Sequence, residues 1–334
     1  MKIIVAGAGA IGGTVAVLLK EAGYDVSLMC HSSASKEKIE KEGFFLDGAK
    51  GDYYTHFDCY CSAEELGDKK FDIVIIATKY AHMAECAETM LPFVAENGLV
   101  VGMQNGLLTE ELGEIVGRDK VVGCMIGFGA TRNKVNHVTM TSLGEFYVGM
   151  LDGRKPKNLE VFAEMLKSVL PTKISMEIQR QQYSKLIINS CINAVAGITG
   201  KTLGEILKDV RARDLFLNIA REGMAVAKAM DIDVPKYGVM LEYKMLNLGN
   251  NKYYNACCKF VVRMVGKLYS DVKPSTLQSL EKGDKTEIDI LNGYFVENGN
   301  KYGVATPVNT KLVEMIHEIE DGKRAMTSDN LAEF

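Results

Sequence analysis

The sequence predicts an α/β domain over residues 1–176, followed by an all-α domain over residues 177–334. Three observations support this fold class. Short runs of β-branched and apolar residues alternate with segments of helical spacing in the first part, which is typical of βαβ units around a parallel sheet. These strand-like runs end near Met176. Beyond that residue, apolar residues recur at helical spacing, so we place the domain boundary at residue 176.

The parallel sheet is predicted from five apolar runs in the first domain. Both faces of these runs are apolar, as expected of strands that helices cover on both sides. In chain order, the predicted strands are Lys2–Ala6, Val26–Cys30, Phe71–Ala77, Leu99–Met103 and Lys120–Ile126.

The pattern changes towards the end of the first domain. Apolar and polar residues alternate over residues 136–149, which predicts an antiparallel hairpin that turns near Gly144 and closes the sheet. Across this hairpin, Val138 and Met140 on one strand would face Phe146 and Val148 on the other. Between Pro156 and Pro171, an apolar stripe at helical spacing predicts an amphipathic helix.

Two apolar stripes at helical spacing illustrate the second domain. The first consists of Leu215, Ile219, Gly223 and Ala227, and the second of Leu312, Met315, Ile316 and Ile319. Each stripe marks one face of a helix that packs against neighbouring helices. The polar segment that begins at Asp321 is expected to fray.

A glycine pattern, G-x-G-x-x-G, lies directly between the first predicted strand and a helical segment. In such a turn the first glycine permits a tight bend, the second lets a pyrophosphate approach the backbone, and the third packs helix on strand. The helix N-terminus adds free N–H groups and a positive dipole. We therefore predict a Rossmann-type dinucleotide-binding domain, with cofactor contacts from Gly7, Ala8, Gly9, Ala10, Ile11 and Gly12. A purely structural glycine turn is the alternative.

The end of the second predicted strand bears on the choice of dinucleotide. An Asp or Glu there would bind the ribose 2′-hydroxyl of NAD, but this strand ends at Cys30 and is followed by His31, without an acid. Hydroxyl and basic side chains follow, namely Ser32, Ser33, Ser35, Lys36 and Lys38. They suit the 2′-phosphate of NADP, so NADPH is the favoured cofactor and NADH remains open. The alternative is that the serines merely cap a solvated helix.

Lys185, Asn189 and Asn193 are spaced four residues apart, so on a helix they form one polar stripe. The residues around them are mostly aliphatic, and asparagine is a poor helix former, which suggests hydrogen-bonding roles for the two amides. Desolvation by aliphatic neighbours would lower the pKa of a lysine towards the working pH, as a general acid requires. A solvated stripe or a pair of satisfied core amides is the structural alternative.

Ser275 and Glu287 are further candidates that also have structural explanations. Ser275 with Gln278, and Asp284 with Glu287, match the capping-box pattern of a helix N-terminus. We consider them as functional candidates because they occur together with the other motifs.

Taken together, these motifs resemble the ketopantoate reductase family, which reduces 2-dehydropantoate to pantoate with NADPH in the route to pantothenate and coenzyme A. The resemblance extends over most of the chain and keeps the order of the motifs. The matching segments are GAGAIG from Gly7, ATKYA around Lys79, QNG from Gln104, GATR from Gly129, KLIINSCIN from Lys185, and PSTLQSLEKGDKTEIDILNG from Pro274.

The resemblance implies a role for each candidate residue. Lys185 would donate a proton to the ketone oxygen, and Glu287 would help to position both that lysine and the cofactor ribose. The substrate contacts would come from Lys185, Asn189, Asn193 and Ser275. Further cofactor contacts would come from His31, Lys79, Asn105 and the backbone of Ala130.

Two departures from the family pattern keep alternatives open. His31 stands where many members carry arginine, and Leu203 stands where an asparagine is often found. One alternative is a reductase of another branched or aromatic 2-oxo acid on the same framework, with NADH as an open choice of cofactor. The other is a non-catalytic protein that binds or senses NADP. The presence of both Lys185 and Glu287 argues against the second, because a sensor needs no proton donor.

Composition excludes several other classes of function. The net charge of −4 is spread along 334 residues, which argues against binding to nucleic acid or to anionic membranes. A small molecule is therefore the expected partner. The family resemblance implies that it is a 2-oxo acid and adds a homodimer as an expectation. The sequence shows no secretory signal or membrane-spanning segment, so we expect a cytoplasmic protein with eight reduced cysteines. No cysteine or histidine spacing predicts a metal site.

Overall fold

The computed structural model describes residues 1–237, 243, 252–268 and 273–334. The chain divides into two units, Met1–Gln182 and Tyr183–Phe334. The division falls inside a helix, Ile178–Thr199, rather than before it at residue 176. The reason lies in the first turn of that helix, because Ile178 packs on strands of the first unit. A Cβ atom on Gly123 or on Gly149 would lie 3.0 Å from Ile178.

The first unit alternates strands and helices as the sequence predicts. Its strands are β1 (Lys2–Ala6), β2 (Asp25–Met29), β3 (Phe44–Gly48), β4 (Tyr53–Thr55), β5 (Asp58–Tyr60), β6 (Phe71–Ile76), β7 (Val94–Gly102), β8 (Val121–Ile126), β9 (Gly129–Lys134), β10 (His137–Ser142), β11 (Phe146–Met150) and β12 (Thr172–Ile174). Its α-helices are α1 (Ala10–Glu21), α2 (Ser33–Glu42), α3 (Met83–Met90), α4 (Thr109–Val116) and α5 (Lys157–Leu166).

Eight strands form one sheet in the order β12-β11-β8-β7-β6-β1-β2-β5. From β5 to β8 all neighbours pair in parallel, while β11 runs antiparallel to β8. The five predicted parallel strands are confirmed, with the largest difference at β7, which begins at Val94 instead of Leu99. Because these strands are parallel, the segments that follow β1, β2, β5, β6 and β7 all emerge at one edge of the sheet.

The predicted hairpin over residues 136–149 is wrong. β10 belongs to a second sheet of order β4-β3-β10-β9, whereas β11 pairs with β8 and β12 in the first sheet. The backbone that connects them lies close to the residue that follows β8. A Cβ atom on Gly144 would lie 1.9 Å from the carbonyl oxygen of Gly127. Alternation correctly marks two strands here, but it does not specify their partners.

Helix α1 is buried around its whole circumference because it packs against strands of both sheets. Every residue from Gly12 to Leu19 is buried. The predicted amphipathic helix between the two prolines is confirmed as α5, whose apolar stripe is buried through Phe162, Met165 and Leu166. Both helices therefore hold the first unit together by burying apolar side chains on the sheet.

Within its described residues, the regular elements of the second unit are helices. They are α6 (Ile178–Thr199), α7 (Leu203–Ile206), α8 (Val210–Ala229), α9 (Lys252–Leu268), α10 (Ser275–Glu281), α11 (Asn292–Tyr302) and α12 (Pro307–Glu320). The predicted stripe of α8 is buried at all four positions. Helices α8, α11 and α12 pack against one another. Tyr183, in the second turn of α6, donates a hydrogen bond to the carbonyl oxygen of Gly223 in α8 at 2.8 Å.

The end of the chain does not fray, in contrast to the expectation from its polar sequence. A 3₁₀ helix spans Ser328–Glu333, and Leu331 within it is buried. The backbone N–H of Thr327 and the side chain of Asn330 both donate to the carbonyl oxygen of Ile198, at 3.0 Å and 2.8 Å. Ile198 lies in the last turn of α6, where carbonyl groups lack intrahelical partners. The terminal segment therefore supplies the missing donors.

Candidate active site

The three glycines of the turn between β1 and α1 occupy different environments. Gly7 has φ +110°, and a Cβ atom there would lie 2.8 Å from the carbonyl group of Ala77. A Cβ atom on Gly12 would lie 2.0 Å from the carbonyl oxygen of Gly7. By contrast, nothing lies within 4 Å of the corresponding position on Gly9. The fold itself requires the first and third glycines, while the second leaves open space above the backbone.

The N-terminus of α1 faces that space with hydrogen-bond donors. Gly9 precedes the first turn and has no capping side chain, and the first intrahelical bond runs from the Gly13 N–H to the Gly9 carbonyl oxygen at 2.8 Å. The N–H groups of Ala10, Ile11 and Gly12 therefore lie ahead of the helical hydrogen bonds. No acidic side chain occupies this first turn. Together with the helix dipole, these donors fit the pyrophosphate of a dinucleotide.

Gln104 fixes the loop that packs against the glycine turn. Its side chain is buried and donates from Nε2 to the carbonyl oxygens of Ile76, at 2.9 Å, and Thr78, at 3.3 Å. Two predicted cofactor residues follow directly, Lys79 after Thr78 and Asn105 after Gln104, so both emerge beside the turn. Gln104 was not among the predicted site residues, because a buried amide that bridges two loops has no signature in sequence spacing.

His31 is exposed at the end of β2, where the sequence predicts the adenosine end of the cofactor. The centroid of its ring lies 6.1 Å from that of His82, the last residue of a short 3₁₀ helix that follows β6. Ser32 is the N-cap of α2 and accepts a hydrogen bond from the Ser35 N–H. The alternative of a serine that merely caps a helix thus applies to Ser32. His31 and His82 lie next to each other at this edge of the sheet.

Ala130 lies in β9 of the second sheet, opposite Met140 of β10. It is half-buried and packs against the apolar core of the first unit. Its predicted contact with the cofactor stays a prediction.

The stripe of Lys185, Asn189 and Asn193 lies on α6 as predicted and extends over about 12 Å of helix. Lys185 and Asn189 are half-buried, and Asn193 has 6% of its surface exposed. The Oδ1 atom of Asn193 accepts hydrogen bonds from the Ser275 hydroxyl at 3.0 Å and from the Thr276 N–H at 3.2 Å. Two predicted substrate residues, separated by 82 positions in the chain, are thus in direct contact.

Neither predicted capping box is present. Pro274 is the N-cap of α10, and Ser275 is the first helical residue, so its hydroxyl group bonds to Asn193 instead of capping the helix. No helix begins at Asp284 within the described range 273–334. Glu287 instead opens a turn that leads into α11, with the Leu291 N–H donating to the Glu287 carbonyl oxygen at 3.2 Å. The capping explanations for Ser275 and Glu287 are therefore wrong.

The turn that carries Glu287 is anchored to α6. Asn292, the first residue of α11, is buried and donates from Nδ2 to the carbonyl oxygen of Ser190 at 3.4 Å. The same amide nitrogen lies 2.8 Å from Oδ1 of Asn309. Because Ser190 directly follows Asn189, this anchor brings the Glu287 turn to the part of α6 that carries the polar stripe.

Comparison of the chain with known protein families gives two successive matches. The sequence profile described as ketopantoate reductase PanE/ApbA matches residues 3–153, and the profile for the C-terminal part of the same family matches residues 177–320. The chain belongs to the ketopantoate reductase family. Members of this family are oxidoreductases that act on CH–OH groups with a nicotinamide dinucleotide.

Curated relatives agree with this family assignment over nearly the whole chain. A 2-dehydropantoate 2-reductase from Archaeoglobus fulgidus is 27% identical, with 96% of this chain and 98% of the relative aligned. A 2-dehydropantoate 2-reductase from Aquifex aeolicus is 28% identical, with 95% of this chain and 96% of the relative aligned.

Solved structures show that the fold is shared with enzymes of more than one name. A ketopantoate reductase of the family from Ralstonia eutropha superposes with a TM-score of 0.81 at 23% identity, covering 97% of this chain and 99% of the other. A D-mandelate dehydrogenase in complex with NADH and anilino(oxo)acetate has a TM-score of 0.82, also at 23% identity, with the same coverage. At these identities the likeness establishes the fold.

Two features are absent from the part of the chain that the structure describes. No helix there is long and apolar enough to cross a membrane. No group of three or more His, Cys, Asp or Glu side chains in the described ranges is arranged to hold a metal ion.

Proposed function

We propose that this protein reduces 2-dehydropantoate to pantoate with NADPH. The observation that carries the proposal is the hydrogen bond between Asn193 and Ser275, which joins two substrate-binding candidates on and beside the helix that carries Lys185. Ser275 has no capping role of its own. Oδ1 of Asn193 also accepts from the Thr276 N–H in the first turn of α10, which fixes the orientation of this amide. The family assignment and the curated relatives support the same substrate.

Lys185 is the proposed proton donor. The bound reduced nicotinamide would supply a hydride to the 2-keto carbon. An ammonium group at the ketone oxygen stabilises the negative charge that develops there and then transfers its proton to that oxygen. The half-buried position of Lys185, between the buried side chains of Ser184 and Leu186, limits its access to water.

The remaining residues bind and orient the substrate in this proposal. With Oδ1 of Asn193 accepting from Ser275 and Thr276, the Nδ2 group of the same amide is available as a donor to a substrate oxygen. Asn189, one turn closer to Lys185, would bind a substrate hydroxyl group. Glu287 would position Lys185 and the cofactor ribose, as the family resemblance implies.

NADPH is proposed over NADH because β2 ends without an acid and is followed by hydroxyl and basic side chains. The residues that would hold the dinucleotide are those of the glycine turn, His31, Lys79, Asn105 and Ala130. The open space above Gly9 and the free donors of α1 support this binding site.

The test is a cofactor-oxidation assay with ketopantoate and either NADPH or NADH. Replacing Lys185 with alanine should lower kcat at least about 100-fold, the usual lower range for loss of a general acid. The dissociation constant of NADPH should stay within about twofold, because Lys185 is not proposed to hold the cofactor. Lys201→Ala, at an exposed lysine just beyond the end of α6, is the matched control and should change neither quantity. Absence of ketopantoate turnover with both cofactors would refute the proposal.

A second candidate function is the reduction of another branched or aromatic 2-oxo acid. Leu203 favours it, because this buried leucine stands where the family often has an asparagine. The likeness to a D-mandelate dehydrogenase shows that the fold also serves an enzyme of another name. Specificity constants for a panel of 2-oxo acids would separate the candidates, and a clear preference for ketopantoate would exclude this one.

A further inference from the structure

An ion pair between Lys36 and Glu65 lies beside the predicted adenosine end of the dinucleotide site. Lys36 is in the first turn of α2, which follows β2, and Glu65 is in the short 3₁₀ helix Glu64–Leu66, which follows β5. β2 and β5 are adjacent and parallel, and the Cys30 N–H donates to the Tyr60 carbonyl oxygen at 2.7 Å just beyond β2. In doubly wound sheets the adenosine ribose lies at the carboxyl end of the second strand.

The carboxylate of Glu65 is held in place by three donors. Lys36 Nζ lies 2.9 Å from Oε2, and the backbone N–H of Cys61 donates to the same oxygen at 2.9 Å. The Cys61 thiol donates to Oε1 at 3.5 Å. The side chains of Lys36 and Glu65 retain 23% and 34% of their exposure, so the pair is partly shielded from solvent. The hydrogen bond from Lys36, followed by that from Cys61, holds the pKa of Glu65 below its usual range, which keeps the carboxylate charged.

This arrangement has opposite consequences for the two nicotinamide dinucleotides. A nearby ammonium group strengthens binding of the 2′-phosphate of NADPH, and a nearby carboxylate weakens it. Glu65 supplies the carboxylate and also neutralises Lys36, one of the basic residues that follow β2. The 2′-hydroxyl group of NADH carries no charge, and a carboxylate can accept its hydrogen bond.

We propose that Glu65 sets the choice between the two cofactors, lowering the preference for NADPH by engaging Lys36 and by repelling the 2′-phosphate. The inference rests on the proposed function to the extent that the protein must bind a nicotinamide dinucleotide. Glu65 is a specificity-determining residue that acts largely through Lys36. Sequence analysis did not detect it, because it follows β5 and lies 36 positions beyond the end of β2.

The experiment measures binding of NADPH and NADH by isothermal titration calorimetry, without substrate. Glu65→Gln keeps an oxygen that can accept from the Cys61 N–H but removes the charge. The ratio of the NADH to the NADPH dissociation constant should rise about fivefold, the upper range for a partly exposed ion pair. The same variant should bind 2′,5′-ADP more tightly, with the affinity for 5′-AMP unchanged. These nucleotide fragments require no catalysis.

Two further variants separate charge from structure. Glu64→Gln removes the same charge one position away, from a side chain that bonds to Ser62 instead of Lys36, and should leave the ratio unchanged. Lys36→Gln should weaken NADPH binding with little effect on NADH. If Glu65 acts through Lys36, the Glu65→Gln change should have a much smaller effect in the Lys36→Gln background.

Each outcome supports or overturns the inference. Equal changes in both affinities for Glu65→Gln would indicate a structural role, and an unchanged ratio would exclude any role of Glu65 in the choice. In both cases the proposed function would stand, because the wild-type protein would still bind a dinucleotide. If the wild-type protein binds neither NADPH nor NADH, the inference and the proposed function both fail.

Discussion

At the scale of single residues, the glycine turn separates the requirements of the fold from those of the ligand. Alanine at Gly12 would place its Cβ 2.0 Å from the Gly7 carbonyl oxygen, an impossible contact with backbone. We expect Gly12→Ala to destabilise the protein severely or to prevent its folding. At Gly9 the space is open, so Gly9→Ala should leave the thermal unfolding midpoint within about 2 °C of wild type.

The same Gly9→Ala variant should bind NADPH at least about tenfold more weakly, because the methyl group fills the space through which phosphate approaches the backbone. Thermal denaturation and titration calorimetry on one preparation measure both effects. Gly283→Ala would be an unsuitable control, since Gly283 has φ +71° and any side chain there is strained. Ala22→Gly, beyond the end of α1, is a better one. Unchanged affinity in Gly9→Ala would exclude the turn as the phosphate site.

Ser275 offers a second prediction at this scale. Its side chain is exposed and bonds to Asn193, so Ser275→Ala should fold normally while losing one contact in the proposed substrate site. We expect the KM for the 2-oxo acid to rise about tenfold with kcat little changed, as for a residue that binds ground state and transition state alike. Ser279→Ala, one turn further along α10, is the matched control. An equal loss in both variants would indicate a general effect on α10.

Residue patterns revealed some of these positions and missed others. The glycine turn could be predicted because its spacing reflects backbone geometry that is local to one strand and one helix. Asn193 and Ser275 could be suggested separately, but their hydrogen bond depends on how α6 and α10 pack. Gln104 lies in a segment that matches the family, but its bridging hydrogen bonds could not be predicted. His82 and Glu65 could not be predicted either, because their positions depend on loops that are distant in sequence. Tertiary structure alone brings them beside β1 and β2.

At the scale of elements, β3 and β10 show that strand pairing could not be predicted from the sequence pattern. Alternation over residues 136–149 identified polar and apolar faces correctly and then joined the wrong strands. The observed parallel pairing sets Thr139 opposite Asp47, with His137 two residues before. Thr139 donates to the Asp47 carboxylate, and His137 Nε2 lies 2.9 Å from its Oδ2. This polar group ties the two strands together across 90 residues of chain.

That pairing predicts how acid affects the second sheet. The hydrogen bond from Thr139, and then that from His137, holds the pKa of Asp47 below its usual range. A carboxyl group with a lowered pKa in the folded state stabilises the protein above its unfolded pKa of about 3.9, and the contribution is lost as the pH falls through the folded value. Asp47→Asn should therefore be less stable than wild type at pH 7, and the difference should shrink towards pH 3.

Urea unfolding midpoints at the two pH values measure this effect. Asp52→Asn, at an exposed aspartate in the nearby loop between β3 and β4, removes the same charge and should leave the midpoint unchanged at both. A difference between Asp47→Asn and wild type that persists undiminished at pH 3 would show that the carboxylate charge has no part in the pairing of β3 with β10.

At the scale of the whole molecule, the order of the two units was predictable and their exact junction was not. Strand runs followed by helical runs distinguish an α/β unit from an all-α unit, because the two periodicities differ along the chain. The junction falls inside α6, where apolar spacing continues unbroken while the packing partners of the helix change. The apolar spacing of a sequence indicates that a helix is buried, but it does not indicate which elements the helix packs against.

The cysteines test the burial pattern of both units in one measurement. All eight are present as thiols, with Cys257 exposed, Cys61 and Cys86 half-buried, and the remaining five buried. Alkylation requires the thiolate, so reactivity falls with burial and with a raised pKa. Burial raises the pKa of Cys86 to about 11. Burial, and then the hydrogen bond with Glu65, also raises the pKa of Cys61.

We therefore expect iodoacetamide at pH 8 to modify Cys257 rapidly in the native protein and to modify Cys61 and Cys86 much more slowly. The five buried thiols should react only in guanidinium chloride, where mass spectrometry should count all eight. Cys257→Ser should remove the rapid phase and leave the slow one. Rapid modification of a buried cysteine in either unit would contradict the packing described for that unit, since a thiol must reach solvent before it can ionise and attack.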